Sequence, residues 1–167
     1  MKRHIFFLFA FSAVLFSCKK GTEVTNKPTV DCSKQSYKDS VALIDNQTIH
    51  EYIADSSLTV DSTANGLYYI IADSGRGTLH PGLNSSITVK YLGYLTNGTI
   101  FSRVGNAPLT GKLSDLIKGW QYGIPLLKKG GKIKLIIPSA LGYGCQTVGV
   151  IPGNSVLIFD IELLDFF

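Results

Sequence analysis

Leu116-Ile117-Lys118-Gly119-Trp120-Gln121 is the stretch on which the fold reading turns. It holds the single tryptophan of the 167-residue chain. Two large aliphatics precede the ring, and Gly119 sits directly before it. Taken alone, a Trp beside Gly at the start of a helix-like segment reads as a core anchor. The rest of the chain favours a second reading. Several more aromatics fall at turn and strand ends with little polar chemistry near them, as an apolar pocket floored by Trp120 requires.

Working outward, the flanks of this segment read as strands. Leu67-Tyr68-Tyr69-Ile70-Ile71 is rich in β-formers. Ile87-Thr88-Val89-Lys90-Tyr91 alternates, with Ile, Val and Tyr on one face. Asn97-Gly98 is a strong hairpin signal, and Thr99-Ile100-Phe101 returns as the partner strand. Arg103 to Lys112 reads as irregular. Ser114 or Asp115 is placed to cap the Trp120 helix, and Pro125 should end or distort it. Lys132 to Ile137 alternates again with both lysines outward. In the last strand Leu157, Phe159, Ile161 and Leu163 point inward, and Asp160 and Glu162 outward. The pattern predicts an α+β fold: an antiparallel five- to six-stranded half-barrel sheet wrapped around one short helix.

Upstream, helical spacing over Ser40–Asp55 puts Ile44, Ile49, Tyr52 and Ile53 on one face. Asp45 reads as the N-cap, with Ile44 and Ile49 as a hydrophobic staple. Residues 40–65 thus form a helical extension and polar linker before a domain at 66–167. Residues 18–39 are polar and read as a tether. Residues 1–17 have a basic start and an apolar run of about a dozen residues, the layout of a secretory signal. Leu15-Phe16-Ser17-Cys18 resembles a bacterial lipoprotein box, which implies an acylated Cys18 and a membrane anchor in the bacterial envelope, periplasm-facing or outer membrane. Cys32 and Cys145 then remain, either paired or buried as thiols.

Composition and motifs exclude several function classes. Hydrophobic residues make up 45% of the chain, enough for a core. Without residues 1–17, which hold Lys2 and Arg3 and no acid, 14 basic residues face 12 acidic ones. That balance argues against a nucleic-acid partner. His4, His50 and His80 lie far apart and suggest no metal site, and phosphate- or dinucleotide-binding glycine spacing is missing, so no cofactor is expected. Ser114 and Ser139 lack evident His and Asp partners. Any reaction must rest on shape and desolvation rather than on a nucleophile.

At this point the motifs converge. Val89 to Phe101 is similar to the first hairpin of FKBP-type peptidyl-prolyl cis-trans isomerases, and Leu116 to Trp120 resembles their pocket-floor motif. Gly130-Gly131-Lys132, Ile137-Pro138, Leu141-Gly142-Tyr143-Gly144, Val150-Ile151-Pro152 and Leu157 to Leu164 follow in the family's order, so the resemblance covers Gly66 to Phe167. It implies catalytic roles for Tyr91, Phe101, Trp120, Tyr143 and Phe159. It implies substrate contacts from Ser102, Leu116, Ile117, Val150 and Ile151. Tyr143 would offer its hydroxyl to one peptide carbonyl and the Ile117 N–H would serve another. The implied partners are proline-containing polypeptides, macrolide inhibitors, and a second copy through the helical extension. Two positions depart from the family. Ser102 stands where Asp follows the hairpin phenylalanine, and Gly111 stands near the place of an aromatic about nine residues before the Trp, with Leu109 or Leu113 placed to fill the gap. Ser102 keeps a second function open: a peptide-binding envelope chaperone with weak isomerase activity. A structural lipoprotein using the fold as an interaction module is a third.

Overall fold

Alternation on two ten-residue strands decides the architecture. The structure is a computed structural model, which describes residues 32–104 and 107–167. Cys18, the expected signal and most of the expected tether lie outside the described residues. Strand β3 (Ser86–Leu95) pairs antiparallel with β7 (Leu157–Phe166), setting Tyr91 opposite Ile161 and Gly93 opposite Phe159. On the other side of β7 lies β6 (Lys132–Ile137), with Leu135 opposite Phe159. Strand β2 (Tyr68–Asp73) pairs with β6, and β1 (Asp61–Ser62) with β2. Strands β4 (Ile100–Arg103) and β5 (Leu109–Lys112) both pair with β3. The sheet has seven strands, in the order β1-β2-β6-β7-β3-β4 with β5 also on β3. That is one strand beyond the upper end of the expected five or six. Leu109-Thr110-Gly111-Lys112 carries no alternation of its own, and Ser86 to Val89 of β3 supplies its ladder.

The short helix α2 (Lys118–Gly123) lies against this sheet. Neither Ser114 nor Asp115 caps it. Leu113–Asp115 forms a separate 3₁₀ turn in which Ser114 Oγ donates to Asp115, and the extended residue before α2 is Ile117. After Gly123 the chain tightens into a 3₁₀ turn at Ile124–Leu126, where Pro125 removes an amide donor. A Cβ on Gly119 would meet Ile137 at 2.6 Å, so only glycine lets α2 settle on β6.

The two faces of the sheet bury separate cores. Leu135, Ile137, Leu157, Phe159, Ile161 and Leu163 pack around Trp120 on one face. Ile136, Val156 and Ile158 join Ile49 in a second cluster, and period-two geometry assigns Ile136 and Ile158 to the opposite face. Ile49 belongs to α1 (Gln35–Asp55), which runs 21 residues and starts five earlier than Ser40. Ile49, Tyr52 and Ile53 share the packed face as expected. Asp45 is not the N-cap. It lies mid-helix, 3% exposed, and its carboxylate accepts the Ser139 N–H at 2.8 Å and the Ser139 hydroxyl at 2.7 Å. Ile44 is 62% exposed, because a five-residue spacing from Ile49 is not a helical face repeat. A disulfide joins Cys32 to Cys145 across 113 residues, settling the open choice between pairing and burial.

Candidate functional site

Four rings meet edge to face above α2. Tyr91 comes from β3, Phe101 from β4, Trp120 from α2 and Phe159 from β7. Tyr91 stands against Trp120 at 5.1 Å between centroids and 82° between planes. Trp120 meets Phe159 at 5.2 Å and 88°, and Phe159 meets Phe101 at 5.4 Å and 79°. Such T-shaped pairs place positive ring edges on negative faces and add roughly 0.5–1.5 kcal/mol each beyond area burial. Gly93 makes the arrangement possible. A Cβ there would lie 2.6 Å from Phe101 and 2.8 Å from Phe159, so any side chain would drive the two rings apart.

The rings enclose a cavity of about 220 Å³, lined also by Ser102, Leu109, Asp115, Leu116, Ile117 and Tyr143. Its size is below the roughly 300–1,000 Å³ of drug-sized sites and suits one compact side chain. All five expected catalytic side chains line it, as do Ser102, Leu116 and Ile117. Val150 and Ile151 are not among the lining residues. Val150 is 65% exposed on the preceding loop, and Ile151 packs into the core behind the site. Leu109 and Asp115 enter the lining although the motifs did not single them out as site residues. For Leu109 the signal was the gap left by the missing aromatic. A Cβ on Gly111 would meet nothing within 4 Å, whereas Leu113 is fully buried in the core and does not reach the cavity.

Polar groups here are few. The Tyr91 hydroxyl and Ser102 Oγ share a hydrogen bond of 2.8 Å. Burial first, and the nearby Tyr91 second, push the Tyr143 hydroxyl above its ordinary pKa, so it stays protonated and able to donate at neutral pH. Trp120 is 3% exposed and its Nε1 has no acceptor among the described residues, a cost that core tryptophans ordinarily avoid. Gln121 holds the rim: its amide donates to the carbonyls of Ser114 at 3.0 Å and Leu116 at 2.7 Å. No group of three or more His, Cys, Asp or Glu among the described residues could hold a metal ion. A larger cavity of about 600 Å³ lies between α1 and the segment after β6, but it holds none of the four rings in edge contact and shares only Tyr143 with the aromatic site.

Comparison with known proteins identifies the family. A family model described as FKBP-type peptidyl-prolyl cis-trans isomerase matches residues 77–164. The chain is 54% identical over 108 residues to the FKBP-type peptidyl-prolyl cis-trans isomerase FkpA of Buchnera aphidicola from Schizaphis graminum, covering 64% of this chain and 43% of that one. It therefore spans less than half the length of this relative. Among solved structures, FkpA from Escherichia coli superposes with a TM-score of 0.67 at 35% identity, over 77% of this chain and 62% of that one. A peptidyl-prolyl cis-trans isomerase from Pseudomonas syringae superposes with a TM-score of 0.67 at 27% identity, over 77% and 95%. With the half-barrel, the helix beneath it and the family match over most of the sheet, the chain belongs to the FKBP-type peptidyl-prolyl cis-trans isomerase family.

Proposed function

We propose that the chain catalyses cis-trans rotation of X–Pro bonds in polypeptides, without covalent chemistry, in the aromatic cavity. The observation that carries this is the run of edge contacts from Tyr91 through Trp120 and Phe159 to Phe101, beside a ring-sized space that Tyr143 also lines. The uncatalysed barrier is ~20 kcal/mol because rotation breaks amide resonance. The planar amide is the more polar state, so a dry apolar wall disfavours it more than the twisted one. That is differential binding of the transition state. The protonated Tyr143 hydroxyl and the Ile117 N–H hold flanking carbonyls, and Leu116 with Ile117 sets the preference for the residue before proline. Val150, exposed on its loop, then contacts substrate beyond the cavity proper, and Ile151 supports that loop from the core. Macrolide inhibitors would compete for the same space.

The test is isomerisation of a proline tetrapeptide by the purified protein, with and without a macrolide. A rate well above the uncatalysed one, lost on adding the macrolide, supports the reading; the uncatalysed rate refutes it. Ser102 favours one second reading, a peptide-binding chaperone with weak isomerase activity, since a hydroxyl stands where the family has a carboxylate. Peptide binding that quenches Trp120 fluorescence without turnover would select it.

Residues 1–17 as signal, an acylated Cys18 and a tether that ends where α1 begins at Gln35, rather than at residue 39, extend the proposal to an envelope protein anchored to a membrane, with the isomerase domain at 66–167. Cys18→Ser should release the protein from membranes; membrane fractionation at mature size would refute the anchor. Leu43 and Ile44, exposed side by side on α1, support a homodimer through that helix. Sedimentation of the purified protein checks this.

A further inference from the structure

We infer that Asp45 is a positioning residue for the pocket, holding through Ser139 the segment that presents Tyr143. The inference rests on the isomerase reading above. Tyr91, Phe101, Trp120 and Phe159 sit on strands or on α2, whereas Tyr143 sits on the irregular chain after the 3₁₀ turn Ser139–Leu141. The placement of its hydroxyl therefore depends on what fixes that chain. Two of the fixings come from α1 or the residues just before it. At one end Asp45 accepts both the N–H and the hydroxyl of Ser139 on the same carboxylate oxygen. At the other, Cys145 is bonded to Cys32. The Ser139 carbonyl closes the loop between them by accepting the Gly144 N–H at 2.8 Å and the Gly142 N–H at 2.9 Å. Gly144 is in turn held from β7's approach, where its carbonyl accepts the Asn154 N–H at 2.7 Å. Tyr143 is thus strung between two anchors, and it alone lines both the aromatic cavity and the cavity beneath α1.

The chemistry of position 45 sets it apart from general helix packing. Elsewhere α1 meets the sheet through Ile49, Tyr52 and Ile53. A carboxylate buried among such residues carries a desolvation cost that an aliphatic would not. What it adds is direction, because its two bonds end on one residue of the Tyr143 segment. A displacement of about 1 Å in a group that holds a reacting peptide can lower turnover by up to about a hundredfold.

The experiment compares Asp45→Leu, Asp45→Asn and Ile49→Val in the full chain. Leucine removes the acceptor. Asparagine keeps one oxygen that can accept both Ser139 donors. Valine at 49 weakens the same helix contact without touching the segment. The expected result is a fall of about tenfold in kcat/KM for Asp45→Leu, carried by kcat, with recovery to within about twofold in Asp45→Asn and no fall in Ile49→Val. Amide exchange at Gly144 should quicken in Asp45→Leu and in Ser139→Ala, which serves if the leucine variant does not fold. A folded Asp45→Leu with wild-type kcat and unchanged Gly144 exchange overturns the inference, as does an equal loss in Ile49→Val. If the wild-type protein shows no isomerase activity, the function proposal fails, and Gly144 exchange alone decides whether Asp45 holds the segment.

Discussion

The two faces of one sheet are finished by different means. The face around α2 is closed by aromatic rings and aliphatics, and among the described residues Tyr91 to Ser102 is the one side-chain hydrogen bond that joins two lining residues. The face under α1 mixes a small apolar cluster with polar and covalent ties. These are the Asp45–Ser139 bonds, the Cys32–Cys145 bridge, and Lys134 donating to both Tyr94 and Asp160 at 2.5 Å. The difference teaches what each face is for. Under the proposed isomerase reading, a surface that must stay dry and accept a proline ring can use shape alone. A helix laid on a sheet needs direction, and hydrogen bonds and a bridge supply it.

The sharpest way to break this comparison is at Trp120. Trp120→Ala removes a ring that is 3% exposed and should cost ~3–5 kcal/mol of stability, read by denaturant unfolding. Trp120→Leu keeps an apolar floor and should stay folded while losing isomerase activity. A fully active Trp120→Leu would make the ring a core anchor after all. On the other face, Cys32→Ser with Cys145→Ser opens a 113-residue loop, removes one of the two anchors of the Tyr143 segment and should cost roughly 2–5 kcal/mol, with the contacts among the four rings kept and macrolide binding weakened but not lost. Complete loss of macrolide binding in a folded double variant would show that the rings themselves, and not Tyr143 alone, depend on the α1 face.

Ser102→Asp gives a smaller effect of opposite sign. The Tyr91 hydroxyl would donate to a carboxylate in place of a hydroxyl, worth roughly 1.5–3 kcal/mol for a charge-assisted bond. Isomerisation should quicken and macrolide affinity rise. Unchanged rate and affinity in a folded variant would mean that the cavity already works by shape. The smallest expected effect concerns pH. Burial raises the Asp45 pKa above its ordinary value, outweighing the two Ser139 bonds. The folded chain therefore keeps this proton to higher pH than the unfolded chain. The stability contribution of Asp45 falls as pH rises from the ordinary carboxylate value through the raised one. The Tm advantage of Asp45→Asn over wild type should shrink as pH is lowered through that window; a constant difference would contradict it.

How much of this was legible follows from the range of each signal. The hairpin at Asn97-Gly98, the alternation of Leu157, Phe159, Ile161 and Leu163, and the Leu116–Trp120 segment are local patterns, and all fall in the structure where their spacing predicts. Strand β5 was not legible, because Leu109 to Lys112 has no period of its own and becomes a strand only against β3. Gly93 was quoted within a motif, but its role needs the Phe101 and Phe159 rings as neighbours. The second core did leave a trace: Ile136 and Ile137 are consecutive and both buried, which on a strand means both faces are covered.

By itself the sequence determined the α+β sheet and the helix beneath it, since each rests on residues within a few positions of one another and on fixed periods of two or 3.6, whereas the pocket aromatics, spread from Tyr91 to Phe159, were named only by the resemblance of ordered motifs to a family. Tertiary structure alone decided that Asp45 faces Ser139 across 94 residues, that Cys32 meets Cys145, and that Ser102 takes the Tyr91 hydroxyl. The physical reason is the same in each case. A polar side chain or a thiol carries no periodicity that names its partner, and the partner is set only when packing of the apolar faces has brought distant segments within hydrogen-bonding or covalent reach.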